Sequence, residues 1–316
     1  QADRSECIRS RSASNGMRLF FIGWSGRNLG LTEVVSLCKK EHEIAYWSGD
    51  GKELGLLKGE FPGTIFHDHF EALRGIPASG IDASAFPPPE PEFLTKLLET
   101  ESLVLTMMNK HFENMSVSER KHLYYAQVRY WNGVLSAFRP DVIIFSCAPH
   151  TVYDFVLYSL AKLYGIHTIM FEPTWVGDRM MIMSDYIDGP RETLSLPNNG
   201  SVSVETLASD IRKEYELQTQ SGADATPVFV KNIRRQFSGP RLLYIKVRSL
   251  WTTISAHRTL SVFFTAATSL FRPLRPNLKK EYERVAVIPD FKRPYVYFPL
   301  HYQPERNSSP QGGVFV

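Results

Sequence analysis

Cysteine is scarce in this 316-residue chain: Cys7, Cys38 and Cys147 stand far apart, with no pair at CxxC spacing. That spacing offers neither a disulfide framework nor a zinc knuckle, and it fits a reducing, cytoplasmic compartment. Long uncharged apolar runs are missing as well. A membrane-spanning helix needs about 20 nearly uncharged residues, whereas the most apolar stretch, 242–271, is interrupted by Lys246, Arg248, His257 and Arg258. Three signature patterns are absent too: GxGxxG, GxxxxGK[ST] and GxSxG. Dinucleotide hydride chemistry, ATP hydrolysis on a phosphate loop and an elbow-type hydrolase triad therefore lose their local support.

What is present is a chain able to build a core. With 43% apolar and 22% charged residues it has room for one large domain or two ordinary ones. Short apolar runs alternate with helical patterns, the mark of βαβ units and a parallel sheet. Strands are expected at Arg18–Gly23, His42–Trp47, Thr64–His67, Val142–Phe145 and His167–Phe171. Helices are expected at Leu31–Lys40, Pro91–His111, Ser116–Phe138 and Thr151–Tyr164, and the proline-rich 77–91 reads as a surface loop. Ser116 with Glu119 forms a capping-box pattern, and Gly165 follows the last of these helices. The expected fold class is thus α/β, a doubly wound parallel-sheet domain of Rossmann-like type over 17–197.

Residues 1–16 are polar and read as an extension ahead of Met17. From 198 to 284 a polar connection leads into a basic helical segment, and 285–316 reads as the start of a second, truncated domain. Between Val228 and Arg284 twelve Lys or Arg face only Glu281 and Glu283, a local +10 that leaves the rest of this +3 chain at −7. Two readings of Lys231–Arg284 stay open: a basic amphipathic segment on an anionic membrane surface, or a helical hairpin packed on the sheet with its cations in water. A nucleic-acid partner is not expected, because the basic region carries no recognised binding motif.

In open parallel sheets, ligands bind beyond the carboxyl ends of the strands, where helix N-termini and free N–H groups point. That rule selects three loops. Gly23–Gly30 has GxxGxxxG spacing, so Gly26 can let the backbone approach a phosphate or sugar hydroxyl, Arg27 supplies charge and Asn28 hydrogen bonds; equally, the glycines serve only to turn the chain. Ser146–Thr151 carries His150 at the start of a helix, which is expected to lower its pKa and suit it to act as a neutral base, or else to cap and pack. Glu172–Arg179 brings Thr174 and Arg179 beside Glu172, a carboxylate placed to take a proton from an attacking hydroxyl or to form a salt bridge to Arg179 or Arg27. His67-Asp-His69 puts two imidazoles on one face, too few ligands for a metal, and no metal is expected. Near the end of the sequence, a strand at Tyr295–Phe298 runs into a loop with His301, Tyr302, Gln303, Glu305 and Arg306, which offer donors and acceptors to sugar hydroxyls and phosphates.

Tyr295-Val-Tyr-Phe-Pro-Leu-His-Tyr-Gln-Pro-Glu-Arg306 and Ser309-Pro-Gln-Gly-Gly-Val-Phe315, with Pro149–Asp154 and Gly165–Phe171, resemble bacterial capsular or surface polysaccharide biosynthesis proteins. Those proteins are similar to glycosyltransferases of the two-domain GT-B type. The resemblance implies an N-terminal domain that takes a glycan or lipid-linked glycan acceptor. It implies a C-terminal domain that holds a nucleotide-sugar donor, with no cofactor beyond that substrate. On that reading His301, Gln303 and Glu305 would face Gly26, His150 and Glu172 across a cleft, and by position alone Glu172, His150 and His301 are the catalytic candidates. A nucleotide-sugar epimerase of the same architecture, or a non-catalytic membrane-associated assembly protein, are the alternatives.

Overall fold

The computed structural model describes residues 16–25, 30–174, 179–190, 203–220 and 278–287, with 231, 290, 292–294, 296 and 309–312. The chain divides into two compact units, Gln1–Ile211 with Leu300–Val316, and Arg212–Pro299. Outside the first unit's α/β body, the described helices are α8, Ser209–Thr219, and α9, Leu278–Val285.

The α/β body is built on six strands: β1 Arg18–Ile22, β2 Glu43–Gly49, β3 Ile65–Asp68, β4 Val142–Phe145, β5 His167–Pro173 and β6 Met180–Met183. Their order is β3-β2-β1-β4-β5-β6. The first five are parallel, and β6 returns antiparallel on β5. This is the doubly wound, Rossmann-like plan expected from the alternation of strands and helices. A strand buried on both sides must be apolar at every position, and β1 divides its residues accordingly. Leu19 and Phe21 pack under α1 (Leu31–Cys38) and α2 (Gly51–Leu57). Phe20 and Ile22 face the larger layer of α3 (His69–Leu73), α5 (Leu98–Met107), α6 (Val117–Phe138) and α7 (Val152–Tyr164).

Several local signals work as expected. Ser116 and Glu119 cap α6 reciprocally. Asp154 accepts from the Thr151 N–H at 2.8 Å at the start of α7, and Gly165 ends that helix at φ +64, a conformation open to glycine at little cost. Other elements depart from the reading. The helix expected over 91–111 is split into α4 (Pro91–Thr95), α5 and a 3-10 turn, Met108–Lys110, because Leu97 leaves helical geometry to bury its side chain. Asp50 and Asp68 each cap a short helix that the glycine-rich and polar sequence around them did not suggest, α2 and α3. β5 runs two residues further than expected, and β6 pairs with its last four residues, Met170, Phe171, Glu172 and Pro173.

The proline-rich segment 77–91 is fastened to α6. Arg129 donates to the Phe86 and Ser84 carbonyls at 2.7 and 2.9 Å, and the Phe86 ring lies against Gly133, where any Cβ would collide with it.

Candidate functional site

β1 and β4 lie side by side, yet their connections depart to opposite faces, β1 to α1 and β4 to α7. Such a divergence opens a crevice at the carboxyl edge. Its floor is held by hydrogen bonds between loops. The Trp24 N–H donates to the Ser48 carbonyl at 2.9 Å, the Trp24 indole to the Ile144 carbonyl at 3.1 Å, and the Trp47 indole to the Trp24 carbonyl at 2.9 Å. Gly49 is needed here because a Cβ would run into the Trp24 carbonyl.

Two imidazoles, His150 and His69, stand at the start of α7, and a third, His111, follows α5. His150 comes from the β4–α7 loop. Its Nδ1 lies 2.9 Å from the Ala148 carbonyl and 3.7 Å from Cys147 Sγ. A carbonyl only accepts, so Nδ1 carries the proton, and the sulfur accepts a share of it. Burial works against the imidazolium, but Cys147 and the charge of Asp154 outweigh it and hold the His150 pKa up at about 9. This reverses the expectation of a lowered pKa from the helix N-terminus alone. The buried Asp154 beneath it has its own pKa raised by loss of solvent, against the pull of His150.

His69 opens α3. Its Nδ1 meets the Tyr153 hydroxyl at 3.0 Å, Tyr153 meets Ser48 Oγ at 3.2 Å, and Ser48 Oγ accepts the Gly23 N–H at 2.9 Å. The chain is satisfied throughout when Ser48 donates to Tyr153 and Tyr153 to His69, which leaves the His69 Nε2–H as a donor toward the edge. His111 follows the turn after α5. Loss of hydration, then the charges of Lys110, His69 and His150, push its pKa below the ordinary value.

The expected residues fare unevenly. Glu172 shares its strand face with Thr168 and Met170, the face covered by α7, and lies two residues past the Phe145–Met170 pair at the carboxyl edge. It thus lies on the same rim as His150. Thr174 and Arg179 are brought together at the β5–β6 turn, where the Thr174 N–H donates to the Arg179 carbonyl at 2.9 Å. The Arg179 guanidinium forms a two-pronged pair with Asp210 at 2.8–3.0 Å. Gly26, Arg27, Asn28, His301, Tyr302, Gln303, Glu305 and Arg306 lie outside the described residues, as does nearly all of Lys231–Arg284.

Sequence reasoning passed over His69, Cys147, Tyr153 and Ser48 as site residues. The His67-Asp-His69 alternation was a usable signal, since both rings do turn toward the α6–α7 layer. His67, however, is buried against Tyr46 and the Ile76 carbonyl, and only His69 reaches the edge. Among the described residues no group of His, Cys, Asp and Glu could hold a metal ion, and no helix is long and apolar enough to cross a membrane. Comparison with protein-family models, curated proteins and solved structures gives no match.

Proposed function

We propose that the chain is a glycosyltransferase of surface polysaccharide assembly, of GT-B plan, moving a sugar from a nucleotide-sugar donor to a glycan acceptor. The observation that carries this reading is the crevice between β1 and β4, rimmed by Glu172 and His150 on one sheet face. Glu172 is the base: its carboxylate takes the proton of the acceptor hydroxyl as that oxygen bonds to the anomeric carbon and the bond to the leaving phosphate oxygen breaks. His150, with its Nδ1 proton committed to Ala148 and its charge retained, acts as a cation and Nε2 donor rather than as the base. His301 and Arg306 would steady the leaving phosphate, and Arg27 and Asn28 the sugar hydroxyls.

The test is transfer of label from nucleotide sugars to glycan acceptors by the protein expressed from its full reading frame. Glu172→Gln should lower the transfer rate about 10²- to 10⁴-fold with the circular dichroism spectrum unchanged. Equal transfer by the variant would remove Glu172 from the reaction. Conversion of the nucleotide sugar with no acceptor present would identify an epimerase instead.

A further inference from the structure

Cys147 stands where the β1 and β4 connections part. The Ser146 N–H, one residue before it, donates to the Ile22 carbonyl at 3.0 Å and pins the loop to the end of β1. On the β1 side, a Cβ added to Gly23 would lie 3.0 Å from Ser146 Oγ, so the two connections start out in close contact. The loop after β4 then turns back and brings His150 Nδ1 to 3.7 Å from Cys147 Sγ. That nitrogen carries its proton for the Ala148 carbonyl, so it has no lone pair with which to take the proton of the thiol. The imidazole therefore serves the sulfur as a hydrogen-bonding cation. Burial opposes that charge, and the sulfur and the buried Asp154 sustain it. A thiolate is the reactive form of cysteine, and a cation against the sulfur favours it.

Cys38 provides an internal contrast. Both thiols are partly exposed. Cys38, the last residue of α1, packs against the apolar core beneath that helix, and loss of solvent pushes its pKa up. Access alone does not separate the two; the imidazole does.

We infer that Cys147 is a modification site, a nucleophilic thiol that exchanges with low-molecular-weight disulfides, and that the adduct closes the crevice between β1 and β4. The first half stands on the Cys147–His150 pair at the crevice; the second rests on the transferase reading above. The Cys147 proton passes to water, and the thiolate attacks one sulfur of the small disulfide. A bond forms between Cys147 Sγ and that sulfur, the original disulfide bond breaks, and the other sulfur leaves with the electron pair and takes a proton from water. Cys147 is thereby oxidised and half of the small disulfide is reduced. A small thiol reverses the exchange by the same route.

Oxidised glutathione is the probe, with the peptide of each cysteine, Cys7 included, read separately by mass spectrometry. In the wild-type protein Cys147 should be thiolated at least about tenfold faster than Cys38. His150→Gln keeps an N–H donor and removes the charge; it should slow Cys147 about tenfold and leave the Cys38 rate and the circular dichroism spectrum unchanged. A wild-type Cys147 rate no greater than that of Cys38 would overturn the site without recourse to any variant. An unchanged Cys147 rate in folded His150→Gln would do the same. Sugar transfer should fall in proportion to the occupancy of Cys147 and return with dithiothreitol, while Cys147→Ala should hold its own untreated rate through the same treatment. Full transfer by fully thiolated protein would overturn the closure and leave the transferase standing. No transfer by the reduced protein would overturn the transferase reading, and the closure with it, while leaving the thiol exchange in place.

Discussion

Two polar regions flank Trp131 in the larger helix layer, and they treat histidine in opposite ways. On one side His67 lies fully buried. Its Nε2–H donates to the Ile76 carbonyl at 2.8 Å, so its Nδ1 accepts the Tyr46 hydroxyl at 2.5 Å; Tyr130 in turn donates to Tyr46 at 3.0 Å and accepts the Ala78 N–H at 3.1 Å. Every group is paired in its neutral form, and burial pushes the His67 pKa down to about 4. On the other side, Tyr153 stacks on Trp131 and leads to the carboxyl edge, where the His150 pKa stands near 9. A satisfied neutral network rigidifies a core, whereas imidazoles with unspent donors at an open edge are equipped for a ligand.

The largest perturbation of this contrast is removal of its shared wall. Trp131 is fully buried, packs on Tyr46, Tyr130, His67 and Tyr153, and donates to Gln127 Oε1 at 3.0 Å. Trp131→Ala should cost about 3–5 kcal/mol in urea unfolding and disturb both regions at once. Next in size is pH. His67, at about 4 when folded against an ordinary 6.5, resists its proton in the native state, so the stability it confers is complete above about 6.5 and drains away as pH falls toward 4. That amounts to about 3 kcal/mol. His150 has the opposite sign: its contribution is complete below about 6.5 and is lost as pH rises through about 9. Melting temperature against pH should therefore lose its acid slope in His67→Phe and its alkaline slope in His150→Gln. A single variant that flattens both limbs would erase the distinction. Smallest is Tyr46→Phe, which strips His67 Nδ1 of its donor and Tyr130 of its acceptor. A loss of about 1–3 kcal/mol by denaturant midpoint is expected, with the His150 titration unmoved in proton NMR.

The sheet was readable from sequence because its strands are short apolar runs set between helices of distinct period; Val142–Phe145 and the capped helix after it appear where the pattern puts them. Short helices were not readable. Gly51–Leu57 holds two glycines, and only the Asp50 cap and the burial of Leu54 and Leu57 make it helical. The candidate site was half legible. His150 and Glu172 follow from the rule about carboxyl edges, which depends only on strand order. His69 lies 84 residues from Tyr153 along the chain and meets its hydroxyl only because α3 packs beside α7. No spacing encodes that. The charge state of His150 was also hidden, since it depends on burying Asp154 underneath and on a sulfur one loop turn away.

The seating of Phe86 on Gly133 bears on how this chain can vary. Surface connections ordinarily absorb inserted or deleted residues with little effect. A proline-rich loop riveted to a long helix by an arginine fork and a ring pressed on bare backbone lacks that freedom, so residue 133 and the length of the 77–91 segment must change together or not at all.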